Sequence, residues 1–160
     1  MYHPVVNKIK NLLEKNKLWF ETFEHTPVKT SEEAAKIRPG YSIKQGAKAM
    51  IIRTKNGQER KFVMLVLPGD LRFDNDKVKK VLNVKDTRFA TPEEIDEITS
   101  GVQIGGVPPF GNLFNIEVVV DPKLFENEKI VFNAGDRSYS IAMKSEDYKK
   151  TVSPIIAEIT

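Results

Sequence analysis

The sequence predicts an α+β domain organised around one mixed β-sheet. Three observations carry that expectation. A chain of 160 residues suits one domain, spanning 1–160, with one sizeable core. Its strand-like segments follow one another through tight turns, as hairpins and meanders. Its helical segments are short and separately capped, and do not alternate strictly with strands as a doubly wound parallel fold requires.

Pro4 to Lys15 reads as a helix, because Val5, Ile9, Leu12 and Leu13 recur at helical spacing and proline is tolerated in a first turn. Leu18 to Glu24 is aromatic-rich and partly alternating, hence a strand. Thr30-Ser31-Glu32-Glu33 has the pattern of a capping box and opens a short helix that Pro39-Gly40 closes. Ala47 to Thr54 and Glu59 to Leu67 are strands joined by the hairpin signal Asn56-Gly57. The run Phe62 to Leu67 is apolar on both faces, which puts this hairpin in the middle of the sheet. Asn75 to Leu82 is a helix with Val78, Val81 and Leu82 facing inward. Thr91-Pro92-Glu93-Glu94 is a second capping box, and its helix ends at Ser100-Gly101. Strands follow at Ile116 to Asp121, Lys129 to Asn133 and Tyr139 to Met143, the last two joined by the turn Ala134 to Arg137. Ser145 caps a closing helix that carries Tyr148, and Pro154 interrupts it.

Composition narrows the function classes. Apolar residues make up 40% and charged residues 29%, the balance of an ordinary globular protein. No apolar run approaches the length of a membrane span, and Met1 to Lys8 lacks the basic-then-apolar order of a signal peptide. The expectation is a cytoplasmic protein with no membrane partner. The absence of cysteine excludes thiol catalysis, disulfides and thiolate metal sites. His3 and His25 are too few and too far apart for a histidine-based metal site. Asp70, Asp74 and Asp76 are spaced like part of a calcium loop, but its glycine and terminal glutamate are missing, so they read as a helix-capping turn. No metal or cofactor is expected. A net charge of +3 permits a nucleic-acid partner without requiring one.

Two features stand out as candidate chemistry. The stretch Gly101 to Asn112 holds four of the nine glycines and two of the nine prolines. It is neither helix nor central strand, yet Val102, Ile104, Val107 and Phe110 make it apolar. It suits a site where a ligand touches backbone, since glycine admits close approach and proline keeps main-chain groups aimed. The bland alternative is a buried turn between a helix and a strand. Lys48 is the second feature: it opens an apolar strand, its same-face neighbours Met50 and Ile52 are apolar, and Ala47 and Ala49 flank it. His25, a lone histidine at a strand end, reads first as a structural hydrogen-bonder. The lysine groups at 8–17, 77–80 and 149–150 are solvated helix faces that together could meet phosphates.

In order along the chain stand Phe23-Glu24-His25-Thr26-Pro27, Thr30-x-Glu32-Glu33-Ala34-Ala35, Lys48 at a strand start and Gly69-Asp70-Leu71 before a helix. Phe89-Ala90-Thr91-Pro92-Glu93-Glu94, Gly101-x-x-x-Gly105-Gly106-Val107-Pro108-Pro109-Phe110-Gly111 and Asn133-Ala134-Gly135-Asp136-Arg137 complete the set. Together they resemble the YbaK/prolyl-tRNA-synthetase-associated editing domain, a family of aminoacyl-tRNA deacylases, over nearly the whole chain. The resemblance implies a mixed, mostly antiparallel sheet curled around a pocket with flanking helices. It implies a free-standing, trans-editing hydrolase that cleaves the ester of mischarged tRNA, typically tRNA for proline. Its expected partners are the acceptor end of an aminoacyl-tRNA and a prolyl-tRNA synthetase.

By the same resemblance Lys48 falls on the essential lysine, and Gly106 to Pro109 falls on the glycine-x-x-proline substrate loop. Lys48, Gly105 and Gly106 are then the expected catalytic positions. Phe23, His25, Met50, Ile104, Val107, Pro108, Pro109, Phe110, Asn133, Gly135 and Ser140 are expected to bind substrate. The sequence departs from common family patterns at Ala49, Phe23, Asn133 and Ser140, which leaves the amino acid open. A pocket bounded by Phe23, Met50, Ile104, Val107 and Phe110 would be mostly apolar and favour a small residue such as alanine or cysteine. The alternative from another class is a non-catalytic module that binds tRNA or a synthetase.

Overall fold

The computed structural model describes residues 1–160. In chain order the elements are α1 (Pro4–Lys15), β1 (Phe20–Glu24), α2 (Ser31–Ile37), β2 (Ala47–Asn56), β3 (Glu59–Pro68), α3 (Asn75–Leu82), β4 (Asp86–Phe89), α4 (Pro92–Thr99), β5 (Glu117–Val120), β6 (Lys129–Asp136), β7 (Tyr139–Lys144), α5 (Ser145–Val152) and β8 (Ile155–Ile156). The α+β class holds. The strands, however, form two sheets rather than one: β1-β7-β6, and β4-β2-β3-β5-β8.

The division follows from the hydrophobic pattern of β3. Val63 to Leu67 are all buried, and alternate residues feed two clusters on opposite faces of the larger sheet. Met64 and Val66 join Ala47 and Ile51 against the smaller sheet, α1, Phe110 and Tyr148. Val63, Leu65 and Leu67 join Ile52 under α3 and the C-terminal Ile159. A strand apolar on both faces needs a cover on each; the β6–β7 hairpin, paired with β1, supplies one as a separate layer. At one corner the sheets are also joined by backbone pairing, through a parallel bridge between Gly46 and Val131. That corner positions the site.

Local signals act as written at several points. Thr30 accepts from the Glu33 N–H, although the Glu33 carboxylate reaches back to the Lys29 N–H rather than to Thr30. Thr91 and Glu94 close a complete capping box. Asn56-Gly57 turns the central hairpin, with Asn56 opposite Glu59. Ser145 is not a cap: it is the first residue of α5, and its hydroxyl donates to the Asn127 carbonyl. Pro154 follows the end of α5 and precedes β8. The edge strand β4 was not visible in the sequence, because Asp86-Thr87-Arg88-Phe89 carries no apolar alternation and pairs on one side only, with β2.

Candidate active site

A cavity of about 380 Å³ opens where the sheets meet. The start of β2 gives it Gly46 to Met50, and the end of β3 with the following turn gives Gly69 and Arg72. The entry to α2 gives Lys29 to Glu32, α2 itself Ala34 and then Arg38 at its end, β6 Phe132 and Asn133, and the glycine-proline loop Ile104, Gly105 and Val107. Four cations, Lys29, Arg38, Lys48 and Arg72, face one carboxylate, Glu32. None of the five takes part in an ion pair. Of the apolar wall expected from the sequence only Met50, Ile104 and Val107 line the cavity, beside Phe132 and small residues, and with its four cations the pocket is more polar and more positive than expected.

Lys48 projects from the β2 face that carries Met50 and Ile52, as alternation requires. Its ammonium donates to the Leu71 carbonyl at 2.5 Å. Burial pulls its pKa below the ordinary lysine value; Glu32 partly offsets this and Arg72 reinforces it.

The loop divides into two halves with different roles. Gly105 reaches φ +90°, a left-handed backbone suited to glycine, and its carbonyl accepts from Asn133 Nδ2 at 2.6 Å. The Ile104 carbonyl accepts from Arg137 Nε at 2.7 Å. With these carbonyls tied back, the N–H groups of Gly105 and Val107 donate to no protein group. The Gly106 N–H is already engaged with the Gln103 carbonyl, and Gly106 is buried against the Asp136–Arg137 backbone rather than in the cavity wall. Pro108 and Pro109 are likewise buried, and the Pro109 carbonyl accepts from Tyr148 Oη at 2.6 Å. Phe110, expected on the pocket wall, is a core residue: fully buried, it packs on Phe132 and Tyr148 with ring centroids 5.4 and 5.5 Å away. The reason is lateral: the chain after the tight Gly105-Gly106 turn dives between the sheets to reach β5.

Other expected residues also sit outside the lining. Phe23 stacks edge-on against Tyr41. Gly135 lets α1 approach, since a Cβ there would lie 2.1 Å from Val5. His25 and Ser140 lie one layer behind the wall, in a continuous network. His25 Nδ1 meets the Thr26 carbonyl at 2.8 Å, so this nitrogen carries the proton, and Nε2 meets Ser140 Oγ at 2.7 Å. Ser140 Oγ accepts from Arg38 Nε at 3.0 Å, and Arg38 Nη2 donates to Asn133 Oδ1 at 2.8 Å. The cavity therefore unites Lys48, Met50, Ile104, Gly105, Val107 and Asn133 from the expected set. Sequence reasoning missed Arg38, which reads as an exposed helix end before Pro39-Gly40. It also missed Arg72, Lys29 and the α2 entry, whose capping pattern gives no hint of a cavity. No three His, Asp or Glu side chains converge as a metal-ligand set, and no helix is long and apolar enough to cross a membrane.

Comparison with known proteins identifies the family to which this fold belongs. A multifunctional Ser/Thr-tRNA deacylase, ProXp-y, of Escherichia coli K12 is 32% identical over 144 residues, covering 89% of this chain and 85% of the deacylase. A proline–tRNA ligase of Thermosipho melanesiensis is 32% identical over 116 residues; the match spans 72% of this chain but 19% of that longer protein. A crystal structure described as a candidate trans-editing enzyme for prolyl-tRNA synthetase superposes with a TM-score of 0.82 over 100% of this chain and 99% of its own, at 22% identity, and so speaks for the fold. The sequence profile of the aminoacyl-tRNA editing domain matches residues 25–151. The chain thus belongs to the aminoacyl-tRNA editing domain family, whose members hydrolyse mischarged aminoacyl-tRNA.

Proposed function

We propose that this protein is a trans-acting deacylase that removes a small, polar-tolerant amino acid from mischarged tRNA, with tRNA for proline as the favoured carrier. The observation that supports it most is that Lys48 lines one cationic cavity with Gly105 and Val107, whose N–H groups bond to no protein acceptor. An aminoacyl ester is already activated, so positioning a water and stabilising the oxyanion suffice. The Gly105 and Val107 N–H groups are the donors for the carbonyl oxygen as it becomes an oxyanion. Lys48 and Arg72 hold the terminal phosphate or ribose of the acceptor end. Water adds to the carbonyl carbon, the bond to the ribose oxygen breaks, and that oxygen takes a proton as the free amino acid leaves. The neighbouring ribose hydroxyl orients the water.

The polar lining favours serine or threonine over the alanine or cysteine that an apolar wall would select. The relationship to a Ser/Thr-tRNA deacylase and to part of a proline–tRNA ligase supports both halves of the reading. The test is a panel of mischarged tRNAs incubated with substoichiometric protein, wild type against Lys48→Ala. The expected result is multiple turnover by the wild type and at least a hundredfold loss in the variant, about 3 kcal/mol or more of transition-state stabilisation. Binding without release, or a Lys48→Ala variant as fast as wild type, refutes the assignment.

A further inference from the structure

Arg38 is a buried cation without a countercharge. It is 7% exposed, forms no ion pair, and spends Nε and Nη2 on the neutral Ser140 and Asn133. Burial lowers its pKa to about 10, so it stays charged at neutral pH. A desolvated charge held only by neutral groups is costly. Its third nitrogen, Nη1, makes no protein hydrogen bond. Nη1 lies beside Gly46, 3.9 Å from where a Cβ on that glycine would sit, two residues before Lys48. Ala34, Gly46 and Ala49 contribute minimal side chains to the lining of the same cavity. The cavity thus holds, beside Gly46, one charged donor nitrogen that no protein acceptor occupies.

We propose that Arg38 is the specificity-determining residue of the site: Nη1 donates to the side-chain oxygen of the bound aminoacyl group, selecting hydroxylated over isosteric apolar amino acids. This rests on the deacylase reading above and adds the residue that reads the side chain. The guanidinium is oriented for the task by Ser140 and Asn133, and Asn133 in turn holds the Gly105 carbonyl. The side-chain reader and the loop beside the ester are thereby fixed to each other. A donor that loses its acceptor when the hydroxyl becomes a methyl discriminates far better than an apolar wall.

The experiment compares threonyl and valyl groups on the same tRNA, a pair that differs by hydroxyl for methyl at constant shape. For the wild type, kcat/KM for threonyl release should exceed that for valyl release by at least tenfold. Arg38→Met should bring that ratio near one, and Arg38→Lys, which keeps the charge without the fork, should retain part of it. Equal threonyl and valyl rates in the wild type overturn the proposal even where a variant does not fold. Equal proportional loss on both substrates in Arg38→Met also overturns it, because Arg38 would then serve the ester or the fold rather than the side chain. Release of neither group, nor of any other, sinks the deacylase reading and this inference with it.

Discussion

Phe110 separates the two readings of the glycine-proline loop. If it lined the pocket, truncation would mainly affect catalysis; the structure makes it a core residue, with zero exposure between Phe132 and Tyr148. Phe110→Ala deletes a whole ring from the layer between the sheets. Such a truncation costs about 3–5 kcal/mol, the transfer free energy of the ring plus the cavity that rigid neighbours leave behind. For a chain of this length each kcal/mol lowers Tm by about 2–4 °C, so the expected fall is roughly 6–20 °C. The loop should lose its anchorage in the same step, because Phe110 adjoins Pro109, whose carbonyl is held by Tyr148. Thermal and urea unfolding, followed by deacylation assays well below both transitions, measure the two effects separately. A Tm within about 2 °C of wild type together with a collapsed rate would refute the argument and return Phe110 to the substrate wall.

Two further outcomes are expected. Gly106→Ala brings a Cβ to 3.3 Å from the Gln103 carbonyl and 3.4 Å from the Arg137 nitrogen, whereas Gly105→Ala must hold φ +90° with a side chain at the cavity wall. Deacylation rates should therefore fall more for Gly105→Ala, with about 1–2 kcal/mol of strain added, and the opposite order in a side-by-side assay contradicts the division of the loop. The Asp121 carboxylate is buried; burial alone would raise its pKa, but the N–H groups of Ile159, Lys123 and Thr160 outweigh this and hold it below the usual carboxylate range. With the folded value depressed, its stabilisation is present above the unfolded carboxylate value near pH ~4 and is lost as pH falls through the folded value. Asp121→Asn should lose about 2–3 kcal/mol at neutral pH and release the C-terminal tail, and urea unfolding that gives equal stabilities for both proteins would count against the clamp.

What the sequence determined was local. Helix periodicity fixed α1, and capping fixed α4; the Asn56-Gly57 turn fixed the central hairpin, and two-faced apolarity fixed β3 at the centre of its sheet. Each signal lies within a few residues of its effect, so it can be read without knowing the fold. Lys48 was legible for the same reason, as a charge out of pattern in an apolar strand. The split into two sheets was decided only in three dimensions, because β5 pairs with β3 and β7 with β1 across long stretches of chain. Loop burial was decided there too. Apolarity marks Ile104, Val107 and Phe110 alike, yet the path of the chain sends the first two to the cavity wall and the third into the core. Arg38 is the sharpest case: in sequence it is a polar helix end before a proline. Only the tertiary structure buries most of it without a countercharge, beside the corner where Gly46 bridges Val131, and turns an ordinary surface residue type into a charged donor facing a cavity.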